Sequence, residues 1–146
     1  MRIEYLHASK FGNGGMIATC FKEHMTVKGV AVDVHHIREV DPMDLSPADL
    51  YVFSSPGRFG KPIRAMRRFP TKVKLPAGTR YAILTTEAMP NPDKKTGRLP
   101  TEKELAKYQR VRPIMNEILQ GKGLVNVAEN TIHVSRLKDR WKMDGR

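Results

Sequence analysis

The sequence predicts an α/β fold: a three-layer doubly wound sandwich on a five-stranded parallel sheet of order 2-1-3-4-5, in one domain spanning residues 1–146. Three observations predict it. Short β-rich runs alternate with longer helical patterns along the whole chain, which means βαβ units and a parallel sheet. The run Leu50-Tyr51-Val52-Phe53-Ser54 is almost continuously apolar, as in a strand buried on both faces. The first run, Ile3 to His7, opens into the small, glycine-rich stretch Ala8-Ser9-Lys10-Phe11-Gly12-Asn13-Gly14-Gly15. Right-handed crossovers leave few topologies for such a chain, and the 2-1-3-4-5 order is common at this length.

The elements follow in order. A helix is expected from Asn13 to Met25, with Ile17, Cys20, Phe21 and Met25 on its apolar face and Gly29 as its stop. Val30 to Ile37 is the second strand, with Val30, Val32 and Val34 on one side. Asp41 to Pro47 is a loop with at most one helical turn. Leu50 to Ser54 is the third strand and Ser55-Pro56-Gly57-Arg58-Phe59-Gly60 a turn. Lys61 to Phe69 reads as a helix, with Pro62 tolerated in the first turn. Pro76-Ala77-Gly78 turns the chain into the fourth strand, Tyr81 to Thr85. Residues 87–101 hold three prolines, one glycine, three basic residues and two acids, and form the one long polar loop. Glu102 to Gly121 is helical in pattern, kinked or split after Val111 by Pro113. The last strand lies within Leu124 to Val134, and a short basic helix from Leu137 to Met143 closes the chain.

Two loops carry chemistry. Ser9 to Gly15 joins a strand to a helix N-terminus, where small residues let backbone N–H groups converge and the helix dipole favours an anion. Ser9 and Asn13 add side-chain donors and Lys10 a full charge. Neither G-x-G-x-x-G nor G-x-x-x-x-G-K-S/T occurs, so dinucleotide and nucleoside-triphosphate loops are disfavoured. The plain alternative is a glycine-rich turn without a ligand. In Ser54 to Gly60, two glycines and a proline point to an unusual backbone path, with Arg58 and Phe59 offering a planar cation and a flat apolar face. In a 2-1-3-4-5 sheet the loops after strands one and three face each other across the switch-point crevice.

Here the sequence resembles the flavodoxins and flavodoxin-domain proteins. Tyr5 to Ala18 resembles their first strand, flavin mononucleotide (FMN) phosphate loop and first helix. Asp44 to Gly60 resembles their third strand and first flavin-flanking loop. The resemblance covers the strand and helix order of essentially the whole chain. It implies that Ser9, Lys10, Phe11, Gly12, Asn13 and Gly14 hold the FMN phosphate. It further implies that Ser55, Pro56, Gly57, Arg58, Phe59 and Gly60 line one side of the isoalloxazine, with Phe59 a stacking partner. The segment starting at Thr85, Thr86 and Glu87 would lie near the other side.

Charge refines this picture. The chain carries 26 Lys plus Arg against 15 Asp plus Glu, a net +11. Residues 1–57 hold five basic and seven acidic side chains, a net −2; residues 58–146 hold 21 and eight, a net +13. The excess therefore begins at the rim of the expected crevice. Arg58, Lys61, Arg64, Arg67, Arg68, Lys72 and Lys74 run without an acid. The plain reading is a solvated face. The functional readings are an acidic redox partner, or phosphate contacts to a nucleic acid, although no nucleic-acid motif accompanies them. Arg58, Lys61 and Arg64 would also favour extra negative charge on a bound flavin.

Other residues carry less. The single Cys20 excludes an internal disulfide and a cysteine-cluster metal site, and is expected to be a buried structural thiol. His35 and His36 are adjacent on a strand, point to opposite faces and cannot grip one metal together. Trp141 is expected to anchor the last helix on the sheet. No apolar run approaches the roughly 20 residues of a membrane span, and Glu4 interrupts any signal-like start. The expected location is the cytoplasm.

The sequence supports three functions: an FMN-binding electron-transfer or oxidoreductase protein; a binding module of the same fold that has lost its flavin and docks an acidic or polyanionic partner through its basic face; and, with the least support, nucleic-acid or anionic-surface binding through residues 58–74. The second is motivated by Phe11 and Gly14, where hydroxyl residues are usual, and by the lack of an aromatic in 87–101.

Overall fold

The computed structural model describes residues 1–8, 12–58, 61–88, 92–137 and 140–143. Seven strands form one sheet: β1 (Arg2–His7), β2 (Ala31–His36), β3 (Leu50–Arg58), β4 (Lys61–Pro62), β5 (Arg80–Ala88), β6 (Val125–Leu137) and β7 (Arg140–Met143). The helices are α1 (Gly12–Val27), α2 (Arg64–Lys72), α3 (Glu102–Tyr108) and α4 (Val111–Gly121). The parallel strands run β2-β1-β3-β5-β6, which is the predicted order. To these, β7 adds antiparallel to β6, and β4 pairs antiparallel with the end of β3.

Strand alternation divides the core in two. On one face Ile3, Tyr5, Val32 and Val52 pack with Ala18 of α1, and Val30 and Val34 lie against them, as the alternation predicts. On the other, Leu6, Tyr51, Phe53, Tyr81 and Ile83 pack with Met66 and Phe69 of α2 and with Val111, Met115 and Leu119 of α4. Helices thus cover both faces, the arrangement a parallel sheet requires. In β3, Tyr51 to Ser55 are all buried, so the near-continuous apolar run has the expected cause.

Several expectations are corrected. Residues 55–58 are not a turn: β3 continues to Arg58 and pairs antiparallel with β4, Gly57 with Pro62 and Arg58 with Lys61. The following helix starts at Arg64 rather than Lys61, because the residue before Pro62 is driven into extended backbone. The Glu102–Gly121 pattern breaks before Val111, not after it. Thr101 and Glu104 form a capping box on α3, and Pro113 takes the third position of α4, where its missing N–H is no loss. The fourth parallel strand, β5, runs on to Ala88, so the polar loop starts later than expected.

The closing helix does not form. Arg140–Met143 is a strand that pairs with β6, placing Trp141 opposite Arg136. So short a helix is marginal in water, whereas pairing satisfies the backbone groups of the β6 edge. Cys20 is exposed rather than buried. At about 3.6 residues per turn, Ile17, Ala18, Phe21 and Met25 define the inward face of α1, and Cys20 falls on its flank.

The far end of the sheet is closed by Arg2. Its guanidinium meets the buried Glu4 and Asp33 and donates to the Pro47 carbonyl, while its backbone N–H donates to Asp49 at 2.7 Å. One side chain therefore joins β1, β2 and the entry to β3.

Candidate functional site at the carboxyl ends of the strands

Chain reversal about β1 places the switch point between β1 and β3: the chain leaves β1 toward β2 and leaves β3 toward β5. The Ala8 N–H donates to the Ser54 carbonyl at 3.3 Å and holds the two strand ends together. Helix α1 begins at Gly12 and has no acidic residue in its first turn. The backbone N–H groups of Gly12, Asn13 and Gly14 thus sit at a positive helix end beside the crevice. That end fits a phosphate. Ser9, Lys10 and Phe11 lie outside the described residues, as do Phe59 and Gly60.

Across the crevice, Pro56 is in register with Thr86. Gly57 and Glu87 follow them on the same face of neighbouring strands. A Cβ built on Gly57 would collide with the Glu87 carboxyl. Gly57 is therefore small because Glu87 lies against it, and not because of a left-handed backbone; Gly29, Gly78, Gly97 and Gly123 are the described glycines with positive φ. Arg58 follows as the last residue of β3.

The Ser55 hydroxyl donates to the Pro56 carbonyl at 2.9 Å and accepts from the Ile63 N–H at 3.4 Å. It braces the β3–β4 pair against the start of α2, so its side chain serves the scaffold of the crevice. The Thr85 hydroxyl likewise meets Thr131 of β6 at 3.0 Å. Thr86 is buried beside Pro56.

Glu87 is 5% exposed. Burial pushes its carboxyl up to about 7, and Arg112 on α4 opposes the shift. Arg112 is itself engaged by Glu129 at 3.6 Å. Glu129 accepts hydrogen bonds from Asn116 at 2.7 Å and Asn126 at 3.0 Å. Asn116 in turn accepts from the Tyr81 hydroxyl at 2.6 Å. This network locks α4 onto β5 and β6 and leaves Arg112 shared.

At the carboxyl end of β1, His7 and His36 are paired in register, with ring centroids 5.1 Å apart and planes 76° to one another. Burial lowers the His7 pKa; His36 lowers it further, while Glu39 opposes. His7 Nδ1 and the Tyr5 hydroxyl are the buried side-chain polar atoms without a hydrogen-bond partner among the described residues. His36 Nδ1 accepts from the Arg38 N–H at 3.1 Å. Sequence reasoning weighed His35 with His36 and missed this cross-strand pair, which only the β1–β2 register reveals. No cluster of three metal-ligating side chains occurs among the described residues.

Four residues of the basic run, Arg64, Arg67, Arg68 and Lys72, lie on α2, whose Met66 and Phe69 face the core while Arg64, Arg67 and Arg68 are exposed; Arg58 and Lys61 end β3 and open β4, and Lys74 follows the helix. None of the three α2 arginines forms an ion pair among the described residues.

With that geometry in view, the fold has clear relatives. A two-electron reduced flavodoxin from Megasphaera elsdenii superposes with a TM-score of 0.67 at 13% identity, covering 88% of this chain and 84% of that one. A flavodoxin from the domain Archaea gives 0.65 at 17% identity, with 90% and 83% covered. A Fusobacterium nucleatum flavodoxin bound to flavin mononucleotide gives 0.56 at 9% identity, with 86% and 68% covered. No family model and no curated protein matches the chain. The likeness to solved structures establishes the architecture: this chain has a flavodoxin-like fold.

Proposed function

We propose that the chain is an FMN-binding electron-transfer protein, a single domain over residues 1–146 working in the cytoplasm with an acidic redox partner. The observation that carries this is the start of α1. A glycine-rich, acid-free helix N-terminus opens beside the switch point of a doubly wound sheet. The flavin-bound F. nucleatum neighbour supports the choice of ligand. In this reading the Ser9–Gly14 turn holds the phosphate. Residues 55–60, with Thr86 and Glu87 lying against them on the neighbouring strand, flank the ring from one side, which moves Thr86 and Glu87 from the opposite side the resemblance implies. FMN supplies the redox chemistry; the protein supplies binding, orientation and the surrounding charge. The cations of α2, which form no ion pair among the described residues, face an acidic partner, and their attraction weakens with salt.

A second reading, the same fold without flavin, is favoured by one observation: a buried acid occupies the rim where the ring would lie. The visible spectrum of the purified protein tests both. Flavin bands, with FMN released on denaturation, support the first. A colourless protein that takes up no added FMN contradicts it and supports the second.

A further inference from the structure

Glu87 is placed to respond to charge. Its carboxyl lies at the carboxyl end of the sheet, in contact with Gly57, which contributes no side chain to solvate it. Among the described residues no hydrogen bond reaches it, and Arg112 is the charged group that acts on it. Arg112 cannot be given wholly to Glu87, because Glu129 holds it and two asparagine amides hold Glu129. On β6 the register partner of Glu87 is His133, and on β3 Arg58 follows Gly57. A partly compensated carboxyl at low dielectric gains proton affinity when negative charge approaches. One charge within about 8 Å raises that affinity on the order of tenfold or more.

We propose that Glu87 is the proton-uptake residue of the crevice. It takes one proton from solvent when an anionic ligand enters. It returns the proton when the charge leaves. This rests on the flavin reading for the identity of the ligand. The near-neutral titration of Glu87 puts the exchange within reach of ordinary cellular pH. Glu87 acts here through its charge, so it is a positioning residue for protons rather than a group that reacts.

The test is calorimetric titration of FMN into the flavin-free full-length protein at pH 7.5, in two buffers of different ionisation enthalpy. Wild type and Glu87→Gln are compared, so that proton exchange by the FMN phosphate cancels. Wild type is expected to take up about half a proton more per FMN than the variant. Its affinity is expected to fall from pH 6 to 8 more steeply than the variant's. Should Glu87→Gln not fold, carboxyl ¹³C spectra of glutamate-labelled wild type replace it: one resonance should move to the protonated position when FMN is added. Binding with equal proton uptake in both proteins, or with no such movement, overturns this proposal alone. No FMN binding by wild type overturns the flavin reading and this proposal with it.

Discussion

Gly57 on β3 and Glu87 on β5 lie against each other at the carboxyl edge of the sheet, so closely that a Cβ at position 57 would collide with the Glu87 carboxyl. The contact fixes the β4-paired end of β3 over a buried acid, and so sets both the shape and the charge of one side of the crevice.

Gly57→Ala should force the flexible end of Glu87 to swing aside, at a cost of about 1 kcal/mol, the low end of the range for overpacking. Glu87→Gln, of the same size, should not relieve the cost, whereas Glu87→Ala should. Urea denaturation of the single and double variants measures the coupling.

The pH dependence has a definite sign. The folded-state pKa of Glu87 is about 7 against an ordinary 4.5, so the folded protein holds this proton more tightly than the unfolded chain. Its favourable contribution is complete below about pH 4.5, declines as pH rises and is lost above about 7. The full span is on the order of 3 kcal/mol. The stability of Glu87→Gln relative to wild type should rise between pH 5 and 8. A constant difference contradicts the assignment.

His7 acts in the opposite direction. Its folded-state pKa lies below the ordinary 6.5, so the unfolded chain binds the proton more readily. Stability from this residue is present above pH 6.5 and is lost as pH falls through the folded value. His7→Phe keeps an aromatic ring against His36 and removes the titration. Thermal melts should show a smaller loss on acidification below pH 6.5 than wild type shows.

At the other end of the sheet, Arg2→Met leaves the 1% exposed Glu4 without its guanidinium, with the His35 ring nitrogen at 3.7 Å as the nearest remaining basic group among the described residues. The cost should be about 2 kcal/mol, below that of a fully buried pair because the Arg2 side chain keeps 32% of its exposure. Adding Glu4→Gln should recover part of it in denaturant unfolding.

Strand order was legible because each parallel strand carries its own signal: the Val30-Val32-Val34 alternation, the buried run through Phe53, the glycine-rich turn before α1. What stayed hidden depends on pairing between distant positions. That Gly57 answers to Glu87, and His7 to His36, follows from register, which no local pattern encodes. The β3–β4 pairing looked like a turn because Pro56 and Gly57 are turn residues by composition. Arg140–Met143 looked helical because a four-residue strand offers too little alternation to read. Cys20 was misplaced by taking one apolar residue too many onto the inner face of α1.

The most direct test of the central claim is titration of FMN with the flavin-free protein, followed by flavin fluorescence at pH 7. Saturable one-to-one quenching in the micromolar range or tighter, lost when an acid is placed in the first turn of α1 by Gly14→Asp, is the predicted result. Fluorescence that stays unquenched at protein concentrations well above micromolar would contradict it.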